Sequence, residues 1–118
     1  MKVELTRYRV QHGKSERVDE WLDFLNHHID EVLVTLEGEK MYVETIFRER
    51  LGGEEFLYWY SVQGDGGQEV EDSEHWIDKK HLAYWRECID SSFKPIDLLT
   101  EVVMIPSHIK KCFLSSEI

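Results

Sequence analysis

Cysteine and proline are scarce in this chain, and positive charge is in deficit. Cys88 and Cys112 are the two cysteines among 118 residues. They stand far apart and neither has a CxxC partner, which excludes a secreted disulfide framework and a thiolate zinc site. Thiols in a reducing compartment are expected instead. The two prolines, Pro95 and Pro106, leave long stretches able to form helix or ladder. No apolar run approaches the ~20 residues needed to cross a bilayer. Met1 leads directly into a strand-like segment rather than the basic start and apolar stretch of a signal peptide. A cytoplasmic protein without membrane association is expected. The 14 basic side chains face 24 acidic ones, for a formal net charge of −10. Such a surplus repels phosphate backbones, and no basic run exceeds Lys79-Lys80 or Lys110-Lys111, so nucleic acid is not an expected partner.

Aromatic residues are abundant, at 12% with four Trp and five Tyr, which points to a bulky core or an aromatic-lined cavity. Lys2–Val10 reads as a first strand, closed by Gly13 as the turn residue. Ser15 fits a helix N-cap. From Glu16 to Leu36, the apolar residues Val18, Trp21, Leu22, Leu25, Ile29, Val32, Leu33 and Leu36 recur at steps of three and four. Acidic and polar residues fill the opposite face, so the spacing predicts one long amphipathic helix ending near Gly38. Met41–Leu51 and Glu55–Gln63 read as strands joined by Gly52-Gly53, which supply the positive φ of a tight hairpin. Gly64–Gln68 is a loop without a phosphate-binding pattern. Asp72 or Ser73 is placed to cap a second helix over Glu74–Ile89. Glu101–Ile105 reads as a short fourth strand, stopped by Pro106. The order is strand, helix, strand, twice over. It predicts an α+β, ferredoxin-like βαββαβ domain over 1–106, with two helices on one face of a four-stranded antiparallel sheet, followed by a C-terminal tail over 107–118.

The glycine hairpin fixes a register. It pairs Phe47 with Tyr58, Thr45 with Tyr60 and Val43 with Val62 on one face. Arg48 with Leu57, Ile46 with Trp59, Glu44 with Ser61, and Tyr42 with Gln63 share the other. The first face is the more apolar and is expected under the helices. The second would then carry Trp59 and Leu57 into water beside charged groups. A homodimer packed sheet against sheet is the expected remedy, closing a barrel-like space between the copies.

Candidate ligand contacts follow from the second face: Tyr42, Glu44, Arg48, Trp59 and Ser61. Arg7 and Arg9 on strand 1 are expected to join them if the faces converge, and His81 if the second helix turns it toward a cavity. Arginine suits bidentate binding of a polar or carboxylated ligand. The adjacent His27-His28 point about 100° apart on a helix and do not share one ion. No HExxH, His/Cys cluster or Ser/His/Asp arrangement occurs. No metal and no cofactor are called for, and no catalytic residue is assignable.

The segments "TRYRVQHGKSERVDEWLDFL", "MYVETIFRER", "FLYWYSVQG" and "EDSEHWIDKKHLAYWREC" resemble an uncharacterised family of small bacterial proteins across about residues 2–106. More distantly, the Thr6–Val10 strand, Gly13-Lys14 with an acidic helix, and the later Asp72, Ser73 and Trp76 are similar to the dimeric α/β-barrel superfamily. That superfamily includes antibiotic-biosynthesis-type monooxygenases that need no cofactor, and haem-degrading enzymes. The resemblance implies the fold and the dimer. Haem-degrading relatives place an Asn on strand 1 and a His late in the second helix; here those positions hold Thr6 and fall near Arg86, with Trp59 or Trp76 as the Trp. The reading of function is a small polar or aromatic ligand bound in the barrel cavity. One alternative is a monooxygenase-like enzyme drawing on His81, Arg48 or Tyr42. Another is a non-catalytic interaction module using the acidic helix or the tail.

Overall fold

The computed structural model describes residues 1–115. Its elements are β1 (Lys2–Arg9), α1 (Ser15–His27), α2 (Ile29–Gly38), β2 (Met41–Leu51), β3 (Glu54–Gln63), α3 (Trp76–Cys88), β4 (Ile96–Asp97) and α4 (Ser107–Ser115), with a single 3-10 turn at Val70–Asp72. The sheet order is β2-β3-β1-β4, antiparallel at every pairing. This is the expected ferredoxin-like arrangement.

Gly52 and Gly53 take φ values of 59° and 82°, and the hairpin register runs as read, from Leu51 opposite Glu54 to Val43 opposite Val62. It departs at Tyr42, where an irregularity between Met41 and Val43 puts Met41 opposite Gln63. A bulge of this kind re-aims the extra side chain. The Tyr42 ring lies parallel to Phe113 of α4, centroids 5.1 Å apart.

The assignment of faces is inverted relative to the sequence reading. Leu57 is fully buried, and Trp59 and Ile46 pack against the core of Val10, Val18, Trp21, Tyr84, Cys88 and Ile89. Those residues come from α1, α3 and the strand ends. The helices therefore cover the face that was expected to be open. Counting charges along the strand misjudged it, because Glu44 and Arg48 are compensated within the chain: Trp59 Nε1 donates to Glu44, and Arg48 donates to Glu55 and Asp19. Satisfied polar groups do not force a face into water. The open face instead bears Leu5, Phe47, Tyr58 and Tyr60, with Phe47 56% exposed.

Three further expectations change. The long helix is broken at His28 (φ −107°, ψ 29°), where α1 ends and α2 begins. The His28 ring sits between Phe24 and Trp76, at 4.9 and 5.2 Å. The apolar spacing continues across the break, so periodicity alone does not reveal it. Neither expected cap accepts from an N–H within its helix, though Ser73 Oγ accepts from His75 N just before α3. Ser15 is the first residue of α1 and turns its hydroxyl to Glu55, and His75, not Asp72 or Ser73, caps α3 by accepting from Ile77 N. The fourth strand is Ile96–Asp97, not Glu101–Ile105. The free edge of β1 is taken by Ile96 and Asp97 and by the Leu98 N–H bond to Leu5 O. Residues 101–105 run outside the ladder, with Val102 and Met104 exposed. Of the expected tail, 107–115 is α4 and 116–118 lie outside the described residues.

Candidate functional site

A cavity of about 360 Å³ opens between the helical layer and the β2–β3 half of the sheet. α2, set off from α1 by the break at His28, buries none of its side chains fully and supplies one wall of the cavity. Leu22 and Leu25 of α1, Ile29 and Leu36 of α2, Ile46 of β2 and Ile77 of α3 make apolar walls. Into this lining project Glu39, Glu44, Asp78 and His81, with the Trp59 ring beside them.

Each polar group arrives by a local rule. Glu44 and Trp59 lie on the helix-facing side of neighbouring strands, and the Trp59 indole donates to Glu44 Oε1 at 2.6 Å. Asp78 and His81 are one turn apart on α3, on the same inward face as Tyr84 and Trp85. Glu39 follows the end of α2. Its backbone is fixed by Gln63 Nε2 donating to its carbonyl at 3.1 Å and by the close approach of Gly67.

Electrostatics in the cavity follow from burial. Desolvation, then Glu44 and Asp78, push the Glu39 carboxyl up to about 7 from its ordinary 4.5. Burial also raises Glu44, against the pull of the Trp59 hydrogen bond. Burial pushes His81 down to about 4, with Asp78 pulling the other way, so its imidazole is neutral at pH 7. Trp21 Nε1 donates to His81 Nδ1 at 3.0 Å. The ring proton is therefore assigned to Nε2.

These shifts have opposite consequences for stability. His81 binds its proton more readily unfolded, so its contribution is lost as pH falls from about 6.5 to about 4. Glu39 binds its proton more readily folded, so it destabilises increasingly as pH rises from 4.5 to about 7. Glu39→Gln is expected to raise stability at pH 8 by about 1–2 kcal/mol, after discounting for its half-exposed position. The gain vanishes near pH 4, and the variant loses stability more steeply than wild type on acidification from pH 7. Urea unfolding at a series of pH values checks this.

Of the eight sequence candidates, Glu44, Trp59 and His81 line the cavity together. Ser61 is buried on the same sheet face but outside the lining. Arg48 is committed elsewhere: its guanidinium donates to Glu55 Oε1 at 3.0 Å, to Ser15 O at 2.9 Å and to Asp19, fastening β2 to α1. Tyr42 stacks on α4. Arg7 and Arg9 point to the opposite side of the sheet, so the two charged faces do not converge. Arg9 pairs with Asp90 at 2.7 Å, and Arg7 lies over Phe56. This cavity is lined by one chain. Glu39 and Asp78 escaped the sequence reading. The spacing of Asp78, His81 and Trp85 on one helical face was an available signal for the second; for Glu39 there was none. Among the described residues no three His, Cys, Asp or Glu side chains come together as a metal ion requires.

A four-stranded antiparallel sheet in this order, covered on one face by helices, defines a ferredoxin-like α+β protein, here with an acidic cavity beneath the helices. The chain belongs to a family of unknown function, DUF6176, whose model matches residues 1–111. No curated protein matches it. Among solved structures, L-rhamnose mutarotase from Formosa agariphila is similar in fold, with a TM-score of 0.55 and 15% identity over 90% of this chain and 100% of that one. No helix among the described residues is long and apolar enough to cross a membrane.

Proposed function

We propose that the chain binds a small, uncharged, hydroxyl-rich molecule in the cavity beneath its helices. The observation that carries this is the lining: three carboxyl groups, a neutral imidazole and the uncharged polar side chains of Asn26, Thr35 and Thr45 among apolar walls, with no Lys or Arg. Carboxylates repel a carboxylated or phosphorylated ligand, which reverses the role expected for Arg48. A hydroxyl both donates and accepts, so it matches carboxyl oxygens and the His81 N–H at once, whereas an ammonium group offers donors only and faces that N–H unfavourably. The volume lies at the small end of the ~300–1,000 Å³ usual for ligand sites. That the fold neighbour is named for a monosaccharide supports the same class. The oxygenase reading drew on His81, Arg48 or Tyr42, and only His81 reaches the cavity.

Saturation-transfer NMR with a panel of neutral monosaccharides, the matching sugar acids and amino sugars tests the class. Neutral members are expected to bind and sugar acids not to. Equal binding of sugar acids would refute the reading.

The open sheet face supports a second copy of this chain as partner. Leu5, Phe47, Tyr58 and Tyr60 form an apolar surface, and Leu99, Val102 and Met104 stand exposed on the extended segment that follows β4. A two-fold dimer packed on the sheet face covers that apolar surface in both copies. Phe47→Lys is expected to convert a dimer to a monomer in sedimentation equilibrium while leaving the helix-side core intact. A wild-type chain that is monomeric at 100 μM, a concentration on the order of those used for weak dimers, would remove this assembly.

A further inference from the structure

We propose that the cavity enolises a small neutral hydroxy-carbonyl compound, Glu39 taking the C–H proton beside the carbonyl while the His81 N–H holds the carbonyl oxygen. This rests on the ligand class above and adds a reaction to it.

The His81 ring is fixed for such a role. Trp21 occupies Nδ1 from the core side, Trp59 and Trp85 rings stand 5.9 and 6.3 Å from it, and the residue lines the cavity. Among the described residues the hydrogen bond that His81 makes is the one accepted at Nδ1, which leaves the Nε2–H for a ligand in the cavity that the residue lines. A neutral imidazole donates to an oxygen that becomes an enolate without first losing a full charge to it, an arrangement suited to polarising a carbonyl at neutral pH. The cavity groups around it are Glu39, Glu44 and Asp78, all acidic, so no neighbouring cation competes for the oxygen.

Glu39 complements this. Its carboxyl shares the lining with His81 and exchanges its proton near neutrality, which is what a residue needs to act as base in one half-reaction and acid in the next. Glu44, held by the Trp59 indole, is a fixed acceptor for a substrate hydroxyl. In the forward step the C–H bond breaks and its proton goes to the Glu39 carboxylate. The electron pair becomes a C=C bond and the carbonyl π pair moves to oxygen, facing His81 Nε2–H. Reprotonation by Glu39 at the same carbon restores it with its configuration retained, and at the adjacent carbon, after proton transfer between the two oxygens, yields the isomeric carbonyl. No oxidant or co-reactant is consumed.

The experiment is proton NMR in D₂O with dihydroxyacetone, D-glyceraldehyde and a set of free aldoses including L-rhamnose, each with saturation-transfer spectra from the same tube. The expected result is loss of the C–H signal beside the carbonyl above the protein-free rate. Glu39→Gln is expected to slow the loss on the order of 100-fold, far beyond any accompanying weakening of saturation transfer. His81→Gln is expected to slow it about 10-fold or more. Saturation transfer without deuterium uptake, including anomer interconversion alone, would overturn enolisation and leave the ligand class standing. No saturation transfer with any compound would overturn both. Wild-type exchange in Glu39→Gln would remove Glu39 as the base.

Discussion

Replacing Trp21 by Ala is expected to destabilise the domain by about 3–5 kcal/mol. A domain of this size has on the order of 5–15 kcal/mol in total, so the variant loses much or all of its margin. Trp21 is fully buried. Its ring faces Trp59 at 5.7 Å, Trp85 at 5.9 Å and Tyr84 at 6.4 Å. No single neighbour can close the void, because these rings belong to a strand and to a separate helix. Trp21→Phe separates packing from hydrogen bonding. It keeps an aromatic in place but removes the donor to His81 Nδ1, and is expected to cost about 1–3 kcal/mol. It also frees His81 to carry its proton on either nitrogen. Urea unfolding monitored by fluorescence and circular dichroism measures both variants. A loss below 1 kcal/mol (about a fivefold change in the folding equilibrium) in Trp21→Ala would contradict the assigned core.

Gly67→Ala is the second large effect, and it acts on the site rather than the core. A Cβ at position 67 would lie 2.0 Å from the Glu39 carbonyl oxygen and 2.4 Å from its carbonyl carbon. Backbone on backbone has no rotamer to escape into, so the loop must move. The expected cost is about 2–4 kcal/mol, or less if the loop yields and carries Glu39 with it. Gly66 is the control. It has φ of 77° with open space around its would-be Cβ, so Gly66→Ala is expected to cost only about 1 kcal/mol of backbone strain. Thermal unfolding of the two variants gives the order. Saturation transfer from a neutral monosaccharide reads whether Glu39 has shifted: reduced in Gly67→Ala, unchanged in Gly66→Ala.

The sheet was legible because glycine conformation is local. Gly52-Gly53 fixed the turn, and with a two-residue repeat the turn fixed every pair down to Val43 and Val62. Which side of that sheet meets the helices was not legible. Phe47 and Tyr58 look more apolar in the sequence than Glu44 and Arg48, but that ranking ignores hydrogen bonds from Trp59 and to Glu55 and Asp19. The helix break at His28 was hidden for a related reason, since a stripe at steps of three and four survives a single non-helical residue. Glu44, Trp59 and His81 were found together because strand alternation and aromatic spacing mark them. Glu39 was missed because its place depends on Gly67, about one loop and one hairpin away in the chain, which no periodicity connects to it.

The indole N–H resonances test the central claim most directly. Trp59 donates to Glu44, Trp21 donates to His81, and Trp76 donates to Glu31 away from the cavity. In a nitrogen-15 correlation spectrum titrated with a neutral monosaccharide, the Trp59 and Trp21 signals are expected to shift together and saturate while Trp76 stays. Signals that do not move, or movement confined to the Trp76 indole and the outer sheet face, would contradict a ligand site among Glu39, Glu44, Asp78 and His81.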